Sequence, residues 1–380
     1  MGSTYLDHAA TTPLSDEAAA AMQAIHDAGL GNPSGAHRLA RLAQQALDEA
    51  REAIAGLVGG APGDVVFTAG GTEADNLAVT GTLARRPGVA VCPAAEHHAV
   101  LHPVEAAGGR VVGHHHDGSV DLDSLAGALD ADVSVVSVMA VNNENGMIQP
   151  LEPIRELLDQ RAPDAVLHTD AVQAAPWLDV ATHTAAADLV SISAHKFGGP
   201  AGVGALVVRN GKEPAPLLLG GGQERGRRAG THNVAGIAAM AAALAVTVET
   251  RDTTNLRVEA LRDELADGIV ATVPDTVETG RRADKIPGNC HLCFAGIESE
   301  ALLFLLEQDE IYASAAASCS SGAQEPSHVL AAMGVDRAQA QGSLRLSLGR
   351  TTTADDVDRC LAAMGPAVAR LRAHDRVRTP

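Results

Sequence analysis

From residue 65 to about residue 210 the chain alternates short apolar runs with stretches of helical spacing, and this alternation limits the fold more than any single motif. The runs are Val65–Phe67, Val89–Cys92, Arg110–Val112, Val133–Val141, Ala165–His168, Leu189–Ile192 and Ala205–Val208. Repeated βα units of this kind wind a mostly parallel sheet with helices packed on it. Several runs lack polar alternation, which predicts strands covered on both faces. Ahead of them, residues 36–58 carry apolar residues at helical intervals with charges between, so an amphipathic helix is expected there. Aromatic residues are only 2% of the chain. Ala and Gly must do much of the filling, which favours helices lying tight on the sheet. The fold class is therefore α/β.

The texture changes after Gly230. An Ala-rich helix over about 233–249 and a charged one over about 254–271 precede strands near 289–294 and 343–348. Helices are expected near 298–307 and 327–333, and a last one after Thr353. This reads as a smaller α+β part, and 380 residues are enough for one large and one smaller domain. Between Ile311 and Pro326 lies a loop of small residues around Cys319, and long loops in compact enzymes are usually functional.

With 28 Lys and Arg against 47 Asp and Glu, the formal charge is −19. Such a surface repels phosphate backbones and anionic lipid, so neither nucleic acid nor membrane is an expected partner. No apolar run approaches the roughly 20 residues that cross a bilayer. Met1 to Asp7 has neither the basic nor the apolar region of an export signal. Five cysteines in so long a chain make no disulfide framework. A reducing cytoplasm is the expected compartment.

Four strand ends carry candidate chemistry. Lys196, in Ser193-Ala194-His195-Lys196, follows an apolar strand, where a partly desolvated amine suits a Schiff base; an ordinary solvated lysine is the alternative. Asp170 stands at another strand end with Gln173 three residues on; the pair suits a pyridinium nitrogen and a phenolic oxygen, or simply a helix cap. Gly70-Gly71-Thr72 joins a strand to a helix start, which suits one phosphate and lacks the spacing of a dinucleotide or triphosphate loop. His97 could stack on a flat ring and move protons, or be a satisfied structural histidine, the commoner outcome for any one His. The run His114-His115-His116-Asp117 invites a metal reading, but adjacent histidines cannot share one face of a regular element, and a polar turn is expected instead. Cys319 has the access that a thiolate nucleophile needs. Cys290 and Cys293 spell C-x-x-C within a strand-like run, where positions three apart face opposite sides, so both read as packing residues.

Together these pieces resemble the NifS/IscS-type cysteine desulfurases among the fold-type I pyridoxal-phosphate enzymes. The likeness runs from Tyr5-Leu6-Asp7-His8-Ala9-Ala10-Thr11-Thr12-Pro13 to Leu348-Gly349-Arg350. It includes Asn142-Asn143-Glu144-Asn145-Gly146, Gly220-Gly221-Gly222-Gln223-Glu224-Arg225, Arg228-Ala229-Gly230-Thr231 and Ser318-Cys319-Ser320-Ser321-Gly322. The resemblance implies a large cofactor domain over 14–252, and a small domain from 1–13 and 253–380 that carries the cysteine loop at about 312–326. It implies that Lys196 binds pyridoxal 5'-phosphate and serves as acid and base, with His97 on the ring, Asp170 at its nitrogen and Gln173 at its phenolic oxygen. Gly71, Thr72, Ser193 and His195 would hold the phosphate, joined by Thr231 from a second copy in a homodimer. Asn143, which also borders the cofactor, and Arg345 would grip the carboxylate of L-cysteine. Cys319 would take the sulfur as a persulfide, leave L-alanine, and pass the sulfur to an acceptor protein in iron–sulfur assembly, tRNA thiolation or DNA phosphorothioation. Ala316-Ala317-Ser318 departs from the Gly-Ser-Ala of many relatives, which would change how far Cys319 reaches. A selenocysteine lyase or another C–S lyase with the same cofactor is the nearest alternative. A non-catalytic scaffold has no use for Lys196, Asp170, His97 and Cys319 together.

Overall fold

The computed structural model describes residues 2–315 and 327–378. Its strands are β1 (Thr4–Tyr5), β2 (Val65–Thr68), β3 (Val89–Pro93), β4 (Arg110–Val112), β5 (Val133–Ser137), β6 (Val166–Asp170), β7 (Leu189–Ser193), β8 (Gly204–Val208), β9 (Thr276–Glu278), β10 (Asn289–Phe294), β11 (Ile311–Tyr312) and β12 (Ser343–Ser347). Seven of them form one sheet in the order β2-β8-β7-β6-β5-β3-β4. Strands β3 to β7 run parallel, and β8 lies antiparallel between β7 and β2. The α/β expectation with a mostly parallel sheet is met.

Side-chain alternation along these strands divides the interior in two. Val65, Phe67, Val91, Val136, Leu167, Val190, Ala205 and Val207 face one core, which also takes in Leu47, Ile54, Ile154 and Met240. Val66, Ala90, Cys92, Val135, Val166, Leu189 and Leu206 face the other, under Leu77, Val100 and Val104 from the helices Gly71–Arg85 and His98–Ala106. Both faces are covered, as uninterrupted apolar strands require. After β3 the chain steps outward to β4 and then returns to the other side of β3 to form β5. The crevice at the strand C-termini, where such a sheet receives ligands, therefore opens beside β3 and β5.

The structure departs from the sequence reading at two places. The run Val133–Val141 is strand only to Ser137. Val138, Ala140 and Val141 are apolar because they are buried, while their backbone turns away to bond β6 and the segment ending at Gln149. Second, the two helices expected at 233–249 and 254–271 are one continuous helix, Val234–Thr272. The polar stretch between them, Thr250-Arg251-Asp252-Thr253-Thr254, holds neither Pro nor Gly, so nothing stops the helix. Its first part is apolar enough to cross a membrane by composition, but Ile237, Met240 and Leu244 are spent on the core.

A second sheet, β12-β10-β9, is antiparallel, and β1 pairs in parallel with β11. Through β1, and through a bridge from Asp7 to Ser347, the first residues of the chain join its last third.

Candidate active site

Lys196 ends a single helical turn, Ala194–Lys196, directly after β7. Its Nζ donates to the carbonyl oxygens of Ala9 at 2.6 Å and Ala10 at 2.9 Å. The amine is half-buried with no carboxylate in salt-bridge contact among the described residues. Burial, then the nearby Arg345 cation, pushes it down to about 8, against the pull of Asp170 and Asp7. A lysine in this state has a far larger neutral, nucleophilic fraction near neutral pH than one in water.

The other strand ends bring their residues to the same place. Asp170 closes β6; its Oδ1 accepts the Val172 N–H at 2.8 Å, and burial pushes the carboxyl up to about 6. Gln173 donates to the same Ala9 carbonyl as Lys196, at 2.7 Å. His97 follows β3 and caps the helix His98–Ala106, its Nδ1 accepting the Ala99 N–H at 3.1 Å. That bond leaves the ring proton on Nε2. Burial and the Lys196 cation hold the imidazole down at about 4, so it is neutral. His195 is likewise pushed to about 4 by burial and Lys196, with Nδ1 3.2 Å from the Thr11 hydroxyl.

The turn after β2 closes against this group. A Cβ placed on Gly71 would come within 2.9 Å of Val172 Cγ2 and 3.6 Å of the Ser193 Cβ. Only glycine allows this approach, which brings the start of the helix Gly71–Arg85 beside the ends of β6 and β7. Gly70 has no side chain to cap that helix, so its first amides are left for another acceptor. Thr72 is exposed at the same turn.

Arg345 on β12 is buried at 4% exposure and reaches the site from the small sheet. Its Nη1 donates to the Asn143 carbonyl at 2.9 Å, and its Nη2 pairs with Asp7 at 2.9 Å. Its Nε and the Asn143 Oδ1 are buried without partners. Buried polar atoms of this kind call for a ligand or water. Thr231 is exposed, and among the described residues no hydrogen bond joins it to this group. Cys319 lies outside the described residues. The other four cysteines are buried. Burial raises the thiols of Cys92, Cys290, Cys293 and Cys360, the last three to about 12. Cys290 and Cys293 join different apolar clusters on opposite faces of β10, as the strand reading requires. The His114–Asp117 run is a turn, with His115 bonded through its backbone to Gly118 and Ser119.

Sequence reasoning gave no role to Asp7, to the Ala9 and Ala10 carbonyls, or to the buried acids Asp75 and Glu96. Glu96 carries a readable signal, a carboxyl after Ala94-Ala95 at a strand end, whereas Asp75, between Glu73 and Asn76, carries none. Desolvation holds both well above the usual carboxylate range.

These residues leave three needs that a pyridine cofactor would meet. Among the described residues no cation contacts the buried Asp170 carboxyl and no anion contacts the Lys196 amine, while the uncapped helix start at Gly71 faces the same crevice. A ring with a protonated nitrogen, an aldehyde and a phosphate answers all three.

Residues 4–360 match the Aminotransferase class-V family. The chain is 43% identical to an IscS-like cysteine desulfurase of Mycobacterium tuberculosis over 97% of each chain. It is 38% identical to the cysteine desulfurase NifS of Azotobacter vinelandii, over 98% of this chain and 94% of that one. Among solved structures, a NifS-like protein superimposes with a TM-score of 0.90 at 33% identity, over 97% of this chain and all of the other. The chain belongs to the NifS/IscS-type cysteine desulfurases of the class-V aminotransferase family.

Proposed function

We propose that the protein binds pyridoxal 5'-phosphate, removes sulfur from L-cysteine to leave L-alanine, and carries the sulfur on Cys319 to an acceptor protein. The observation that carries this reading is Lys196, an amine held at about 8 at a strand end and surrounded by Asp170, Gln173 and His97. The relatives' shared name supports the substrate.

When bound, the cofactor supplies an electron-withdrawing ring conjugated to the substrate's α-carbon. Lys196 would hold its carbonyl carbon, Asp170 its ring nitrogen, Gln173 its phenolic oxygen and His97 its ring face. Gly71, Thr72, Ser193 and His195 would hold its phosphate, with Thr231 contributed by a second copy of the chain. Neutral Lys196 would accept a proton at Nζ, the Ala9 and Ala10 carbonyls would hold the ammonium so formed, and the same nitrogen would give the proton back. Arg345 would orient the substrate carboxylate through the Nε donor it leaves unused, and Asn143 would do so through its side-chain amide N–H. Burial and raised thiols at Cys92, Cys290, Cys293 and Cys360 support the reading of Cys319 as the sulfur acceptor. We assign residues 14–252 to a large domain, and 1–13 with 253–380 to a small one; the pairing of β1 with β11 supports that grouping, although position 252 falls inside the helix Val234–Thr272. A reducing cytoplasm suits the free thiols. The acceptor would belong to iron–sulfur assembly, tRNA thiolation or DNA phosphorothioation.

The test is an assay with free cysteine that follows alanine, reductant-released sulfide and the mass of the Cys319 peptide. Equal alanine and sulfide with a gain of about 32 Da, one sulfur, are expected. Cys319→Ser should still bind cofactor and cysteine but release no sulfide. Alanine formed without persulfide would favour a lyase instead.

A further inference from the structure

Strand β2 is an outer edge of the seven-stranded sheet and leads directly into the Gly70–Thr72 turn. An edge strand has main-chain groups with no neighbouring strand to pair them. Here side chains take that place. Arg51 Nη1 donates to the Val65 carbonyl at 2.7 Å, Arg227 Nη2 donates to the Gly63 carbonyl at 2.8 Å, and Glu224 Oε2 accepts the Phe67 N–H at 3.0 Å.

Glu224 is the centre of this arrangement. Its two oxygens take both Arg51 nitrogens, at 2.6 and 2.9 Å, and His232 Nε2 lies 2.6 Å from Oε1. Burial pushes its carboxyl up, but hydrogen bonds from His232 and Arg51 outweigh burial and hold it at about 2. The backbone here is strained: Glu224 at φ 48°, Arg225 at φ 58° and Gly226 at φ 80° are all left-handed. Two side-chain-bearing residues in succession keep that conformation only where their surroundings impose it. The same segment grips the far side of the turn. Arg228 Nε and Nη2 reach the Glu73 carboxylate at 2.8 and 3.2 Å, and Glu73 Oε2 accepts the Ala69 N–H at 2.7 Å.

We infer that Glu224 is a positioning residue: it locks residues 224–232 onto the open edge of β2 and, through Arg228 and Glu73, sets the Gly70–Thr72 turn that receives the cofactor's phosphate. It acts without touching the ligand. The inference rests on the reading of that turn as the phosphate end of the cofactor site.

The experiment strips the purified protein of cofactor and titrates back pyridoxal 5'-phosphate or pyridoxal, which lacks the phosphate, by absorbance. The rise in Tm with inorganic phosphate is read in parallel. Glu224→Gln keeps the side chain's size and removes its charge. Its affinity for pyridoxal 5'-phosphate should fall roughly tenfold or more, as for other residues that orient a ligand's contacts from behind. Its affinity for pyridoxal should not change, and the Tm response to phosphate should shrink. Equal loss of both affinities, or no loss, overturns the inference. If Glu224→Gln does not fold, Arg228→Met cuts only the link to Glu73; a smaller loss confined to the phosphate form supports the inference, and wild-type binding overturns it. Wild-type protein that binds neither compound sinks the cofactor reading and the inference with it.

Discussion

Lys196 at the end of β7 and Lys285 beside the small sheet are both withdrawn from water, but their ammonium groups meet different neighbours. Lys285 is 5% exposed and its Nζ lies 3.1 Å from Glu278 Oε1. Burial pushes its pKa down and Glu278 pushes it back. Arg282 holds the other Glu278 oxygen at 2.6 Å, so the site is a closed ion cluster. Lys196 instead meets two carbonyl dipoles, with Asp170 and Asp7 acting only from a distance and Arg345 opposing them. Burial alone does not make a lysine reactive. A contacting counterion restores the charge, and its omission at Lys196 frees the amine.

The contrast breaks most visibly under substitution. Lys196→Ala should lower turnover by roughly 10⁴-fold or more and abolish the cofactor's visible absorbance. Lys285→Met should leave turnover within about threefold and cost about 1–3 kcal/mol in denaturant unfolding, because Glu278 Oε1 loses its partner while Arg282 still holds Oε2. Comparable kinetic losses in the two variants would end the distinction. Next in size is Asp170→Asn, expected to lower turnover by roughly 10²–10³-fold. In the cofactor-free protein the same change should stabilise. The folded carboxyl at about 6 holds its proton longer than the unfolded one at 3.8, so the wild type loses stability as pH rises through that window and the variant does not.

Chemical labelling sharpens the comparison further. Reductive alkylation of the cofactor-free protein by a small aldehyde should modify Lys196 with a midpoint near pH 8, with Lys285 protected. Peptide mass mapping reads both at once, and a midpoint near 10 for Lys196 would refute the account. The smallest expected effect is on stability. Between about 8 and 10.5 the folded Lys196 binds fewer protons than the unfolded chain, so stability rises with pH across that window. Lys196→Met should therefore stabilise the cofactor-free protein below about pH 8, by on the order of 2–3 kcal/mol, and lose that gain toward pH 10.5.

Much of this was legible in the residues alone. Apolar runs marked strands β2 to β8 because doubly covered strands need no polar alternation. Lys196, Asp170 and His97 were visible because a charged or polar residue directly after such a run has few other places to go. The parity of Cys290 and Cys293 followed from strand geometry. What escaped depends on distant chain segments. Nothing near Asp7 announces that it pairs with Arg345 at a separation of 338 residues. The left-handed backbone at Glu224 is invisible because glutamate is not a residue that advertises that conformation. The merged helix Val234–Thr272 was missed for a third reason: a polar patch resembles a boundary when no breaker is required to prove it.

The carbonyls of Ala9 and Ala10, which hold Lys196 and Gln173, belong to a segment whose own anchors are in β12: Leu6 accepts the Ser347 N–H at 2.7 Å and Asp7 pairs with Arg345. This segment is thus made 338 residues ahead of the strand that anchors it. At ordinary rates of synthesis the gap of 338 residues lasts roughly 20–70 s. During that time the sheet can form around the lysine, and the segment has only its contacts with that sheet, such as the Thr12 N–H on the His195 carbonyl at 2.9 Å, without its anchors in β12. A nascent chain that has not yet added β12 would therefore hold this segment less firmly and lack the Arg345 cation that helps push the Lys196 amine down.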